Sequence, residues 1–310
     1  MCAQSQLLAL KVGAIMFLVY GDESLDETRS RVCAVAGLVG TEDAWCKLAE
    51  KWTALHCGIP FHAKDCDSNW GDYAPKEGED ADTKNKANKT LYKESIRLLA
   101  NSEIGGFASA YDLAAQREAF PPPYGPPVYY QPFMDVLQAM GNFAISRDDE
   151  LEFTFDSRIE SEHNAGLIYA HIRESHPEWK RRFASKISFE LSRNSPRIQI
   201  SDLFAREAMK ALDNEIGPVK RPIRKSWEAL RATGRFVVYS FSRQYFAAAK
   251  LDIPNLENTF GFNASDYAAW LQKTRRQWNV TTYFEFLIQH WNRMSPDEKE
   301  ALAQKLEKQW

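Results

Sequence analysis

Two apolar segments near the start of the chain strongly limit what it can fold into. Residues 16–21 (Met-Phe-Leu-Val-Tyr-Gly) and 31–39 (Arg-Val-Cys-Ala-Val-Ala-Gly-Leu-Val) are rich in apolar and β-branched side chains, which favour strands. The polar stretch between them is typical of a hairpin turn, so we predict that the two segments pair as antiparallel strands. The first strand is then expected to end on the carboxylates Asp22 and Glu23.

The rest of the chain alternates between helical and strand-like patterns. Further strands are predicted over residues 104–111, 151–156, 186–191 and 236–241. Helices are predicted from a Thr41 cap to about residue 57, over 90–100 and 133–145, from 157 to about 183, and from just after Pro196. This alternation predicts the α/β class, with helices flanking a mixed sheet.

A chain of 310 residues exceeds the usual size of one domain, so a core with additions is expected. We predict an N-terminal extension over residues 1–15, a main domain over 16–250 and a helical C-terminal extension over 251–310. Within the main domain, residues 65–89 are polar and rich in charge, which indicates a mobile insertion. The proline-rich segment 121–127 is predicted to be an extended loop.

Cysteine and charge patterns narrow the setting. The five cysteines are odd in number and irregularly spaced, which favours a reducing cytoplasm over a secreted disulfide framework. The apolar run 7–20 contains Lys11 and is too short to cross a bilayer, so no membrane partner is expected. The net charge of −3 conceals 17 Lys and Arg against 8 Asp and Glu in residues 171–250. Such a basic region could attract nucleic acid to one face.

Acids at the ends of apolar strands are the strongest chemical signal. Asp22 and Glu23 end the first strand, Asp156 ends a later one, and Asp202 lies in the first turn of a helix, three residues after Gln199. Converging carboxylates can hold Mg²⁺ or Mn²⁺ for phosphodiester hydrolysis. Each acid alone could equally be a surface residue.

Strand alternation makes the first two acids unequal. Successive side chains of a regular strand face opposite sides, so Asp22 and Glu23 cannot both point into one site unless a bulge intervenes. Asp22 is therefore the preferred metal ligand, and Glu23 an additional ligand or water-orienting group.

Several other residues are candidates for substrate contacts. His62 and Lys64 could act as a general acid or a charge clamp at a phosphate, while Arg181 and Arg182 lie among aromatics in a basic cluster that suits a nucleic-acid backbone. A solvated helix face explains that cluster equally well. A zinc site at His56, Cys57, His62 and Cys66 is a weaker alternative because it lacks a Cys-x-x-Cys spacing.

The sequence resembles the bacterial domain-of-unknown-function 3800 family in two motifs. These are Asp22-Glu23, within Tyr-Gly-Asp-Glu-Ser, and Gln199-Ile-Ser-Asp202. The resemblance covers about residues 16–250. It implies an RNase H-like fold with a five-stranded mixed sheet, a third acid at the position of Asp156, and a link to mobile elements or phage defence. Leu25 departs from the glycine common there, which puts the hairpin geometry in doubt.

These observations predict a metal-dependent nuclease in which Asp22, Asp156 and Asp202 hold Mg²⁺ or Mn²⁺ and Gln199 touches substrate or supports the site. The alternative is a non-catalytic nucleic-acid or protein binding module of a defence system. A third reading is a phosphohydrolase of nucleotides. The helical tail could form a homodimer interface or a lid. Motifs of ATP-driven motors, dinucleotide enzymes and serine hydrolases do not occur in the sequence.

Overall fold

The computed structural model describes residues 15–28, 30–119, 130–157, 159–175 and 177–246, with isolated residues between 273 and 300. The strands in these ranges are β1 (Met16–Leu25), β2 (Val32–Gly40), β3 (Gly105–Asp112), β4 (Glu150–Asp156), β5 (Ser188–Glu190) and β6 (Phe236–Phe241). The helices are α1 (Glu42–His56), α2 (Ala63–Ser68), α3 (Ala81–Ala100), α4 (Leu113–Ala119), α5 (Tyr130–Arg147), α6 (Ile159–Ser175), α7 (Pro177–Arg182), α8 (Pro196–Ile216) and α9 (Lys225–Arg231). Short 3₁₀ helices span Gly71–Tyr73 and Ser192–Asn194.

The strands form one mixed sheet in the order β5-β4-β1-β2-β3-β6. Strands β1, β2 and β3 are antiparallel neighbours, whereas β4 runs parallel to β1, β5 parallel to β4, and β6 parallel to β3. The α/β class with helices flanking a mixed sheet is confirmed, and it is consistent with an RNase H-like fold. The sheet has six strands, which matches the six strand-like segments of the sequence, whereas the count of five implied by the family resemblance is wrong.

Helices cover both faces of the sheet. The core on one face combines even-numbered residues of β2, such as Ala34 and Leu38, with α1, α3, α8 and α9. The core on the other face combines Val35 and Val39 with α5 and α6. All nine residues of β2 are therefore buried, which explains why this strand is a continuous apolar run rather than an alternating one.

The predicted mobile insertion over residues 65–89 is wrong. This stretch contains α2, a 3₁₀ helix and the first half of α3, which begins nine residues earlier than expected. Asp80 caps α3 by accepting a hydrogen bond from the Thr83 backbone N–H at 2.9 Å. The first turns of α3 bury no apolar side chain, so the helical periodicity becomes visible only near its middle.

Predictions for three segments of the chain lie mostly outside the described residues. This applies to the extension over residues 1–15, of which only Ile15 is described, to the proline-rich loop 121–127, and to the tail 251–310 apart from isolated positions. Among the helices that the structure does describe, none combines the length and apolar character needed to cross a bilayer.

Asp26 organises the β1–β2 hairpin. Its Oδ1 accepts hydrogen bonds from the backbone N–H groups of Ser30, Arg31 and Val32, and its Oδ2 accepts two from Thr28, all between 2.5 and 3.1 Å. Burial raises the pKa of the Asp26 carboxyl, but these hydrogen bonds outweigh it and lower the pKa to about 2. The turn therefore depends on a charged, buried carboxylate.

We expect Asp26→Asn to lower the free energy of unfolding by about 2 kcal/mol near neutral pH. Because the pKa of Asp26 is lowered by folding, its stabilising effect is present above pH 4 and is lost as the pH falls towards 2. Urea unfolding of both proteins at neutral and acidic pH checks this. A stability difference that stays constant across this pH range would contradict the assignment.

Candidate functional site

A row of carboxylates crosses the ends of three parallel strands. The register of β1 with β4 pairs Gly21 with Phe155, so Asp22 and Asp156 are the next residues on neighbouring strands. Asp156 in turn pairs with Glu190 at the end of β5. Paired residues of adjacent strands point to the same face, and such strands lie about 4.8 Å apart. The sheet thus places these three acids side by side.

Helix α8 adds a fourth carboxylate to this row. The Ser201 hydroxyl donates a hydrogen bond to the Tyr20 carbonyl oxygen at 2.8 Å, which holds the first turns of α8 against β1. The next residue, Asp202, is only 5% exposed. Its negative charge contributes to raising the pKa of Asp156, so the two carboxylates lie close together. The structure therefore brings Asp22, Asp156 and Asp202 to one region.

The environment disfavours the charged forms of Asp156 and Asp202. Burial raises the pKa of Asp156, and the charge of Asp202 raises it further, although a hydrogen bond from the Ser192 backbone N–H at 3.0 Å opposes both. Burial likewise raises the pKa of Asp202, while nearby His62 and Arg206 lower it. Bringing positive charge to this place would relieve a cost that folding imposes.

Glu23 is directed away from this row. The pairing of β1 with β2 continues without a bulge from Leu18 to Leu25, so β1 extends beyond its predicted end at Asp22 and Glu23. Glu23 is aligned with Val35, which packs in the core under α5. Regular alternation therefore places the Glu23 side chain on the face opposite Asp22. Its backbone N–H donates to Asp22 Oδ1 at 2.7 Å.

A cleft of about 480 Å³ opens beside Asp202. One wall is the end of β1 with its hairpin, residues 23–27, and the other is α2 with the residues next to it. Of the carboxylate row, Asp202 lines this cleft, whereas Asp22 and Asp156 do not. His62 and Lys64 both line this cleft. His62 Nδ1 lies 3.4 Å from Asp65 Oδ1, which forms an ion pair when the imidazole is protonated.

The Gln199 side chain hydrogen-bonds to three other segments of the protein. Its Oε1 accepts hydrogen bonds from Trp52 Nε1 at 3.2 Å and from the Phe61 N–H at 3.1 Å, and its Nε2 donates to the Ser192 carbonyl at 2.9 Å. Asp202 Oδ2 accepts from the Ala63 N–H at 2.7 Å. The Gln-x-x-Asp motif therefore holds the backbone on both sides of His62. This geometry makes Gln199 a positioning residue rather than a substrate contact.

Arg181 and Arg182 lie at the other end of the sheet. Arg182 donates to Asp148 Oδ1 at 2.5 Å and to the Asp149 carbonyl at 3.1 Å, just before β4 begins. The seven residues of β4 span about 20 Å, and Asp156 is at the far end. The structure does not bring this basic pair to the acids, because β4 separates them along its whole length.

Three residues at the site were not singled out from the sequence. Glu190 completes the carboxylate row, Asp65 pairs with His62, and Trp70 lines the cleft with 70% of its surface exposed. Trp70 is the only aromatic residue between Phe61 and Tyr73, a stretch that begins the polar segment. An isolated tryptophan in polar sequence was the available signal for it.

Among the described residues, no group of three or more His, Cys, Asp or Glu side chains is arranged so that it could hold a metal ion. This also leaves the zinc alternative at His56, Cys57, His62 and Cys66 without support. Cys66 is instead buried, with its thiol donating to the Asn88 carbonyl.

No protein-family model matches this chain, and a search of curated proteins finds no match either.

Proposed function

We propose that the protein is a metal-dependent nuclease that hydrolyses phosphodiester bonds at the cleft beside Asp202. The observation that carries this proposal is that Asp22 and Asp156 are neighbours at the ends of parallel strands, with Asp202 of α8 near enough to raise the pKa of Asp156. Buried acids that repel one another are costly, and such an arrangement is retained where a cation or a reaction needs it.

The ion proposed for these acids is Mg²⁺ or Mn²⁺. Both ions prefer carboxylate oxygens, and the raised pKa values of Asp156 and Asp202 indicate a place where positive charge is favourable. Asp22, Asp156 and Asp202 would hold the metal, with Glu190 as a further oxygen donor. When bound, the ion supplies a water of lowered pKa and neutralises charge that develops on the phosphate.

Side chains at the cleft would bind the phosphate, donate a proton and position the proton donor. The Lys64 ammonium can bind a non-bridging phosphate oxygen as a point charge. The His62 imidazole, oriented by Asp65, can give a proton to the leaving oxygen. Asp202 and Gln199 hold the backbone around His62, so that this side chain stays in the cleft.

The direct test is cleavage of labelled DNA and RNA by the full chain with Mg²⁺, with Mn²⁺ and with a chelator. We expect cleavage with metal and none with the chelator. Mononucleotides assayed in parallel test a nucleotide phosphohydrolase. If the full chain binds Mn²⁺ and nucleic acid but cleaves neither DNA nor RNA, the proposal is wrong.

A non-catalytic binding module is the alternative, and calorimetric titration with Mn²⁺ distinguishes it. A nuclease should take up Mn²⁺ in the wild-type protein and lose that uptake in Asp202→Asn. A binding module has no reason to show carboxylate-dependent uptake. The matched control is Glu215→Gln, which removes an exposed charge from the same helix.

The exposed indole of Trp70 is the proposed contact for a base of the substrate. Its backbone is held by hydrogen bonds from its own N–H to the Asp65 carbonyl and from the Tyr73 N–H to its carbonyl, at 2.9 and 3.0 Å. Gly71 follows with a φ of +57°, a conformation that favours glycine. The indole is thereby presented to solvent at the cleft, where an unstacked base could pack on it.

We expect Trp70→Ala to weaken the binding of a single-stranded oligonucleotide by about tenfold, since one base–aromatic stack contributes about 1–3 kcal/mol. An abasic strand of the same length should bind both proteins equally. Fluorescence anisotropy measures both affinities. Tyr239→Ala, which removes an exposed aromatic from β6, is the control. Equal losses for normal and abasic strands would contradict base stacking.

A further inference from the structure

A second cavity of about 970 Å³ lies between α3 and α9. It shares a wall with the acidic cleft, because α2 contributes Cys66 and Asp67 to this cavity and Lys64, Asp65 and Ser68 to the cleft. A helix with its side chains is about 10 Å across. The two cavities are therefore neighbours separated by a single short helix. We call the second cavity the α3–α9 groove.

The rim of the α3–α9 groove is basic. Lys89, Lys93 and Arg97 recur every four residues along α3, so they form one stripe with cations about 6 Å apart along the helix. Lys225 contributes from α9. Lys89, Lys93 and Lys225 form no ion pair with any residue that the structure describes. Only Arg97 is paired, with Glu94 at 2.8 Å.

Asp67 is the only acid that lines the groove among the described residues, and its charge is already neutralised. Arg224 binds both of its carboxylate oxygens, at 2.9 and 3.0 Å, and Arg206 binds one at 3.1 Å. The lysines without an ion pair therefore give the groove a net positive charge. Any ligand that fills it should carry negative charge at regular intervals.

The floor of the groove is apolar. It is formed by Tyr92, Ile96 and Ala100 from α3 and by Ala229 from α9. A cationic rim over an apolar floor suits a chain that carries phosphates on one side and flat bases on the other. An acidic peptide would use the lysines but would leave much of this floor without a matching partner.

We propose that the α3–α9 groove binds a single nucleic-acid strand whose continuation enters the acidic cleft across α2. This inference rests on the proposed function and names its substrate class as a strand with exposed bases. Residues 220–225 (Lys-Arg-Pro-Ile-Arg-Lys) belong to the basic region 171–250 of the sequence. Of these, Lys225 would contact the strand, while Arg224 is occupied by Asp67.

The test compares two double charge reversals in the full chain. Lys89→Glu with Lys93→Glu changes the groove, whereas Lys51→Glu with Lys186→Glu makes the same charge change at exposed positions outside it. Binding of a labelled single-stranded oligonucleotide is measured by anisotropy in a chelator over a range of salt concentrations. Circular dichroism and thermal unfolding verify that all the proteins are folded.

We expect the groove variant to bind about tenfold more weakly than the control variant. Its salt dependence should also be shallower, by about 0.7 in the slope of log K against log salt for each lost phosphate contact. Equal affinities for the two variants would overturn the inference. So would a polyglutamate peptide that competes as well as the oligonucleotide at equal charge.

The same measurements separate the two proposals. Because binding is measured in a chelator, it does not depend on catalysis. Loss of binding in the groove variant, with no cleavage by the wild-type protein in metal, would support the groove and reject the nuclease. Metal-dependent cleavage, with equal binding by both variants, would support the nuclease and reject the groove.

Discussion

Asp22→Asn is expected to reduce metal-dependent hydrolysis of an oligonucleotide by about a thousandfold, which corresponds to about 4 kcal/mol of transition-state stabilisation. Asp22 is buried and neighbours Asp156 across the β1–β4 pair, so the substitution removes one charge from the carboxylate row with little change in side-chain size. Asp156→Asn and Asp202→Asn should show similar losses. Initial rates with saturating Mn²⁺ measure the effect.

The fold of these variants provides an independent readout. The raised pKa of Asp156 means that ionisation of this acid weakens the folded state at neutral pH, so Asp156→Asn should be at least as stable as the wild-type protein without metal. Glu152→Gln, an exposed position on the same strand, is the control and should retain activity within about twofold. Full activity of Asp22→Asn would remove the metal site from the proposal.

Asp67→Ala is expected to lower the free energy of unfolding by about 3–5 kcal/mol, because it leaves buried charge without a partner. Arg206 is 1% exposed, and Asp67 is the acid to which it donates a hydrogen bond. Arg224 would keep Glu207, at 3.3 Å, but would lose both oxygens of Asp67. Chemical denaturation measures the change.

Two further variants identify the cause of that loss. Asp72→Ala removes an exposed acid from the adjacent 3₁₀ helix and should change stability by less than about 0.5 kcal/mol. Arg206→Met in the Asp67→Ala background removes the stranded charge and should restore part of the stability. If Asp67→Ala behaves like Asp72→Ala, the buried ion pairs do not stabilise this part of the fold.

Local patterns in the sequence were sufficient for most elements. The Thr41 cap of α1 is confirmed, since its side chain accepts a hydrogen bond from the Ala44 N–H at 3.3 Å. Strand β6 has the predicted bounds, and α8 begins just after Ser195, as expected from Pro196. Each depends on neighbours within a few residues, which is the range over which capping, proline and periodicity act.

The features that the sequence analysis did not predict depend on contacts between distant segments. Strand β1 continues through Asp22 and Glu23 because β2 pairs with it as far as Leu25, and nothing in the acidic sequence itself indicates a strand there. The role of Gln199 depends on Trp52 and Phe61, more than a hundred residues away. Such pairings are tertiary, so local periodicity does not report them.

The sequence by itself determined the α/β class, most element positions and three acids at strand or helix ends. The tertiary structure alone decided which of these groups meet. Strand register placed Asp22 beside Asp156 and turned Glu23 to the opposite face, and it added Glu190 to the row. The physical reason is that side-chain alternation is a local property, whereas the partner of each strand depends on how the whole sheet is ordered.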